Sequence, residues 1–215
     1  IIIFIYRAMP GPGSGLNWFE IDILGFNQSF FSLLSVISAL ITLAGMIILR
    51  KLIMRAYLAN LFIVLSIISA ALYTPSLFLY YELHEYTSIM TNGLVDAKFI
   101  AILNTAVESP LAQVAMIPML AWIAKNAPSK YKATFFAVFA SFTNIALSAR
   151  ELLTSYLNKI FVISREVVDE KSNTILVEAN YDDLDNLLVS LIIMTLVIAL
   201  LTIYLIQRTK LKSTE

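Results

Sequence analysis

The sequence contains no cysteine and a single histidine among its 215 residues. The absence of cysteine excludes a disulfide framework, a cysteine-ligated metal and a thiol nucleophile. His84 lies among charged residues such as Glu82 and Glu85, a setting more typical of a solvated side chain than of a metal ligand. A Ser-His-Asp site and a Gly-Lys-Ser/Thr phosphate loop are also missing. We therefore expect a protein that is not an enzyme and binds neither a metal nor a cofactor.

Charged residues are scarce as well. They make up 14% of the chain, whereas 59% of it is hydrophobic, and fifteen basic residues balance fifteen acidic ones. This balance gives no attraction to nucleic acid. Such an apolar chain has the lipid bilayer as its solvent, and lipid offers a backbone no hydrogen-bond partner, so the spanning segments must be helical. The composition predicts an all-α membrane protein.

Six apolar segments are long enough to be membrane helices, since roughly 20 residues cross the hydrocarbon layer. They cover approximately residues 1–24, 29–49, 57–81, 98–124, 133–160 and 186–207. We predict one domain, residues 1–215, folded as a six-transmembrane-helix bundle. The polar stretch 163–185 is predicted to be an outer loop, either flexible or folded as a small hairpin.

The first segment is interrupted by the run Pro10-Gly11-Pro12-Gly13-Ser14-Gly15, through which no regular helix can pass. The run is either a loop after a short helix or an unwound stretch that faces a cavity. Arg7 comes just before it, and either anchors the helix near the headgroups or lies inside the membrane, where it would attract an anion. Because the chain opens within an apolar run, we expect it to be a fragment or to be processed upstream.

The charges of the connections alternate along the chain. Basic residues dominate the connections near positions 50–55 and 125–132 and the carboxy-terminal tail, which contain nine basic residues and one acid, Glu215. The other connections are rich in acidic residues. Basic connections face the cytoplasm, so we predict a multi-pass protein of the cell membrane, the inner membrane in a bacterium, with a cytoplasmic carboxy terminus.

Polar side chains at membrane depth are the first candidates for function, because burying an ionisable group in lipid is costly. Glu108 lies about 15 Å along the fourth segment, near the midplane, and Asn104 precedes it by one turn. Prolines nearby are expected to kink this helix, and Gln113 adds an amide. Glu108 either couples transport to protons or substrate, or only joins two helices by hydrogen bonding.

The fifth segment carries a polar stripe formed by Asn144, Ser148, Glu151 and Ser155. Asn144 lies about 16 Å from the cytoplasmic end, level with Glu108, so the two residues could share a cavity. For Arg150 and Glu151, nearer the outer surface, we expect an ion pair or contact with the headgroups.

Several short motifs resemble those of one transporter family. They are Tyr6-Arg7-Ala8-Met9-Pro10, Asn17-Trp18-Phe19, Leu24-Gly25-Phe26, Met116-Ile117-Pro118-Met119, Ala127-Pro128 and Lys132-Ala133-Thr134-Phe135-Phe136-Ala137. In order and spacing they are similar to the folate-biopterin transporter family, a branch of the major facilitator superfamily. The resemblance covers roughly residues 4–160.

The resemblance implies a twelve-helix protein in two halves with a central cavity, in which this chain is the carboxy-terminal half and an amino-terminal half is its partner. It implies alternating-access transport of a small organic anion similar to folate or pterin. From the residues themselves, Glu108 is the best candidate to carry a proton, so we expect a proton-coupled symporter. The resemblance places Arg7, Glu108 and Asn144 in the cavity. With the polar residues of the same helices, the predicted substrate-binding residues are Arg7, Asn104, Glu108, Gln113, Asn144 and Ser148. Two alternatives stay open: a non-transporting membrane scaffold or assembly subunit, and a major facilitator carrier for another solute.

Overall fold

The computed structural model describes residues 2–55, 58–114, 127–169 and 174–208, which are mainly helical. The helices are α1 (Ile2–Arg7), α2 (Ser14–Asp22), α3 (Gln28–Arg55), α4 (Leu58–Ala71), α5 (Thr74–Tyr80), α6 (Leu83–Met90), α7 (Ala97–Val114), α8 (Lys132–Ile160) and α9 (Leu184–Arg208). A 3-10 turn, Ser129–Tyr131, precedes α8, and two short strands, β1 (Val167–Val168) and β2 (Ile175–Val177), precede α9.

Four helical stretches in the described ranges are long and apolar enough to cross a bilayer. They are Gln28–Ile48, Ile63–Tyr80, Ser129–Ile160 and Leu184–Leu201. Large apolar side chains such as Leu40, Leu43 and Ile47 are exposed along α3, as expected of a surface that faces lipid. An all-α membrane protein is thus consistent with the fold, whereas the count of six crossings stays a prediction.

Two of the six predicted segments leave this count open. The first segment consists of α1 and α2, which have 6 and 9 residues and are each too short to cross alone. The fourth segment was predicted to reach residue 124, but residues 115–126 lie outside the described ranges.

The second and third predicted helices also have different limits. The second does not stop at residue 49, because Arg50, Lys51 and Arg55 continue α3, and both residue types are good helix formers. The third is interrupted at residues 72–73. Pro75 lies in the first turn of α5 and has no N–H to bond the carbonyl of Ala71, so the regular helix ends there and α5 begins.

The polar stretch before α9 contains a short hairpin. β1 and β2 are antiparallel, with Val167 opposite Val177 and an irregularity in register before the next pair. Ser164 and Asn180 extend the pairing through two backbone hydrogen bonds of 3.0 and 2.9 Å. Of the two alternatives for residues 163–185, the structure therefore has the hairpin.

Packing brings distant parts of the chain together. α3 packs along α7, α9 packs along α4, and α1 lies against α8. A buried core lies at the end of the bundle that carries the hairpin, which we call the hairpin end. Its buried members are Phe19, Ile163, Tyr181, Leu184, Leu187, Leu188 and Leu191. This core joins α2 to the hairpin and to the start of α9.

Candidate functional site

The interruption between α1 and α2, residues 8–13, is docked on α8. The Gly11 N–H donates a hydrogen bond of 3.0 Å to Thr154 Oγ1, and Asn158 Nδ2 donates one of 3.2 Å to the carbonyl oxygen of Pro12. An irregular backbone exposes polar groups that lipid cannot satisfy. Here α8 supplies partners, so the interruption is a packed element of the bundle.

Glycine is required at Gly13, the last residue of the interruption, and at Gly15 in the first turn of α2. Gly13 has a φ of 67°, and a Cβ there would lie 2.7 Å from Thr154 Cγ2 and 2.8 Å from Asn158 Nδ2. A Cβ on Gly15 would lie 2.7 Å from Ile163 Cγ2 and 2.8 Å from Asn158 Oδ1. Real Cβ atoms do not approach other atoms so closely, so the glycines permit the close contact between this segment and α8.

A cavity of about 230 Å³ lies beside the docked segment. It is lined by residues of α1, the interruption, α2, α4, α5 and their connection, α7, α8 and α9. Its charged lining residues are Arg7 from α1, Glu108 from α7 and Arg150 from α8. The cavity thus gathers ionisable side chains from three helices far apart in sequence.

Three residues predicted from the sequence meet in this cavity: Arg7, Asn104 and Glu108. Arg7 Nε and Asn104 Oδ1 are buried without a hydrogen-bond partner within the part of the chain that the structure describes. Buried polar atoms in native proteins nearly always have partners. A donor and an acceptor of this kind beside one cavity are suited to a polar ligand.

Asn144 and Ser148 are not among the lining residues of this cavity in the part of the chain that the structure describes, and their role in binding stays a prediction. All four of Asn144, Leu147, Ser148 and Arg150 are exposed on α8, and of these Leu147 and Arg150 line the cavity. Successive residues of a helix are about 100° apart, so the polar stripe is turned by roughly a quarter of a circle from the cavity-facing side. The remaining predicted residue, Gln113, has a side chain outside the described part of the structure.

Arg150 is the functional candidate that the sequence prediction placed elsewhere. A Cβ on Gly11 would lie 3.1 Å from Arg150 Nη2, so the guanidinium group lies directly against the interrupted backbone. Arg150 precedes Thr154 by one turn, on the side of α8 that docks this backbone. Its position one turn before Thr154 could have indicated this placement. The sequence alone gives Thr154 no role, however, because its contact with Gly11 is a tertiary one.

The charges in and near the cavity act on one another. Arg150 interacts electrostatically with Arg7 and with Glu108. Glu20 of α2 in turn interacts with Glu108. Two guanidinium groups therefore share a small cavity with one lining carboxylate, which makes the cavity favourable for an anion.

Comparison with known proteins assigns the chain to a family. The profile of the BT1 family matches residues 1–213. The chain belongs to the BT1 family, the folate-biopterin transporters. This confirms the resemblance noted in the sequence and supports a multi-pass membrane protein of a transporter family.

Among curated proteins, this BT1 family chain is similar to one named "Putative folate transporter 2" from Plasmodium berghei (strain Anka). The two are 22% identical over 176 residues, which cover 82% of this chain and 38% of the relative. The chain thus corresponds to less than half of the relative's length. No solved structure matches the chain.

A second polar cluster of the BT1 chain lies at the hairpin end. Arg165 forms two hydrogen bonds with Asp22, Nη2 to Oδ1 at 2.8 Å and Nε to Oδ2 at 3.0 Å, and the Tyr181 hydroxyl donates to Asp22 Oδ2 at 2.6 Å. These donors hold the pKa of the Asp22 carboxyl below its usual range. Burial and the adjacent carboxylate raise the pKa of the Tyr181 hydroxyl. We call these three residues the Asp22 clasp, which joins α2 to the hairpin loop.

Proposed function

We propose that the protein containing this chain is a secondary transporter that moves a small organic anion, similar to folate or a pterin, across the cell membrane. The observation that carries the proposal is the cavity in which Arg7, Asn104 and Glu108 meet, with the buried Arg7 Nε and Asn104 Oδ1 lacking partners in the described ranges. The family assignment and the name of the relative support the substrate class.

The proposed roles follow from the chemistry of each side chain. The Arg7 guanidinium binds a carboxylate of the solute through charge-assisted hydrogen bonds. Asn104 Oδ1 accepts a hydrogen bond from an amide or amino group of the solute. Glu108 carries the proton that couples transport to the proton gradient, since an intramembrane carboxylate beside a cavity is suited to a proton relay.

The proposal includes a partner half. Twelve helices in two halves, as in the major facilitator superfamily, would close the cavity from the side that this chain leaves open and would alternate its access between the two membrane faces. In this arrangement the chain supplies the carboxy-terminal half, its carboxy terminus is cytoplasmic, and the hairpin end is outside. Arg7 and Glu108 then lie between two rigid halves that move relative to each other.

Uptake of radiolabelled folate tests the proposal in cells or vesicles that contain the product of the intact open reading frame. Arg7→Ala should lower the apparent affinity by on the order of tenfold, because a charge-assisted hydrogen bond is lost. Glu108→Gln should abolish uptake against a gradient. Lys159→Ala and Glu151→Gln, exposed changes on α8 outside the cavity lining, are the matched controls. Unchanged uptake in both cavity variants at normal expression would remove these residues from the site.

A further inference from the structure

The cavity holds an unequal number of positive and negative side chains. Arg7 and Arg150 are its two lining cations, and Glu108 is its lining carboxylate. The other titratable groups of the packed elements are Tyr6, which ends α1 together with Arg7, Tyr73 between α4 and α5, and Glu20 of α2. Within the cavity lining, an ionised Glu108 therefore balances one of the two guanidinium groups and leaves the other without a lining carboxylate.

Arg150 lies close enough to Glu108 for their charges to interact, but the two side chains do not form an ion pair in the described part of the chain. Their charges interact, yet no ion pair with an N–O distance within 4.0 Å joins them in the part of the chain that the structure describes. Arg150 also interacts electrostatically with Arg7, Tyr6 and Tyr73. A guanidinium group with several weak interactions and no committed partner is available to a ligand.

The position of Arg150 is set by the docked segment. Its Nη2 lies against Gly11, whose N–H is bonded to Thr154 one turn further along the same helix. The contact with α8 also extends to Pro12 through Asn158. Arg150 therefore lies next to the interruption that follows Arg7, and the two guanidinium groups line one cavity from different helices.

We propose that Arg150 is a second anion-binding residue, for which the ionised Glu108 and the carried anion compete. When Glu108 is ionised, its carboxylate attracts Arg150 and weakens binding of the anion. When Glu108 takes up a proton, the carboxylate charge disappears and both arginines interact with the anion. Proton and anion consequently favour each other's binding, as linkage requires. This inference rests on the proposed function, and it assigns the coupling between proton and anion to Glu108 and Arg150.

A double-mutant cycle on the purified product of the intact open reading frame tests the inference, with equilibrium binding of radiolabelled folate as the readout. Binding is measured in mildly acidic and mildly alkaline buffer, a range in which the carboxylates of folate stay ionised. For the wild type we expect tighter binding in acid. Glu108→Gln should bind on the order of tenfold more tightly than wild type in alkaline buffer and should lose the pH dependence.

The decisive comparison is the effect of Glu108→Gln in an Arg150→Gln background. If Glu108 and the anion compete for Arg150, Glu108→Gln should change the affinity for folate by less than about twofold in this background. Arg150→Lys keeps the charge and should retain the pH dependence with weaker binding, which separates loss of charge from loss of folding. Glu151→Gln, on the exposed part of α8, is the control for Glu108→Gln.

Other results of these binding measurements would contradict either the role of Arg150 or the proposed function. Additive effects of the two substitutions would mean that Glu108 repels the anion directly, and would overturn the role of Arg150. Unchanged affinity in monodisperse Arg150→Gln protein would do the same. Absence of folate binding by the wild type would overturn the proposed function itself, and the inference with it.

Discussion

The backbone N–H of Gly11 and the hydroxyl of Thr154 are joined by a buried hydrogen bond of 3.0 Å across 143 positions of sequence. This contact fixes the interruption in the first apolar segment onto α8. It also places Arg7, just before the interruption, and Arg150, one turn before Thr154, at the same cavity. The packing of an irregular backbone and the composition of the candidate site are therefore two consequences of one contact.

Thr154→Val should destabilise the protein by about 1–3 kcal/mol, because it leaves the buried Gly11 N–H without an acceptor. Thr154→Ser keeps a hydroxyl and should therefore lose considerably less stability than Thr154→Val. Thermal unfolding of the purified protein in detergent measures both. Equal stability of the Val and Ser variants would show that the hydrogen bond contributes little.

Gly13→Ala and Gly25→Ala can be compared because both glycines have a φ of 67°, although Gly13, with a ψ of −157°, also lies in a backbone region that is essentially restricted to glycine. A Cβ at position 25 would meet nothing within 4 Å, so Gly25→Ala measures the cost of the left-handed backbone, about 1–2 kcal/mol. Gly13→Ala adds a clash with Thr154 and Asn158, for which overpacking costs about 1–3 kcal/mol more. When the two variants are measured under the same conditions, Gly13→Ala should have a lower unfolding temperature than Gly25→Ala. The opposite rank would contradict the docking of this segment on α8.

The Asp22 clasp should depend on pH. The folded-state pKa of Asp22 is lowered by Arg165 and Tyr181, so the stabilisation is fully present above the ordinary aspartate pKa, about 3.9, and is lost as the pH falls through the lower folded value. Asp22→Asn should speed hydrogen exchange in residues 164–180 at neutral pH. Glu166→Gln, in the same loop but exposed, is the control. Identical exchange in both variants would show that the clasp does not hold the hairpin.

The absence of cysteine from the chain makes the sidedness testable with single introduced cysteines. Lys130→Cys lies in the 3-10 turn before α8, and Asp183→Cys lies just before α9. We predict labelling of position 183 by an impermeant thiol reagent in intact cells, and of position 130 only after the membrane is opened. Labelling of both positions from the same side would contradict the topology.

Local chemistry predicted much of the fold. The run from Pro10 to Gly15 predicts a break in the first segment, and the structure interrupts the helix at residues 8–13, because the cause lies within the prolines and glycines themselves. The start of α8 was predicted to within one residue for a similar reason, since Pro128 and the turn after it precede the apolar run. The end of α3 was missed because hydropathy decreases at Arg50 while helix propensity does not.

The site was predicted less completely, because it depends on how the helices are turned relative to each other. Arg7, Asn104 and Glu108 were found from the cost of polar groups at membrane depth. Asn144 and Ser148 were selected from a polar stripe, but a stripe does not indicate which neighbour it faces. The side of α8 that faces the cavity is set by the contacts of Thr154 and Asn158 with the interruption, which are tertiary contacts.

The central claim is that this cavity binds the carried anion together with a proton on Glu108. Folate-dependent proton movement, recorded with a pH-sensitive dye in proteoliposomes containing the product of the intact open reading frame, tests it most directly. We predict that added folate drives protons into wild-type vesicles, and that Glu108→Gln vesicles bind folate without moving protons. Equal proton movement in wild-type and Glu108→Gln vesicles would contradict this claim. So would wild-type vesicles that accumulate folate without any proton movement.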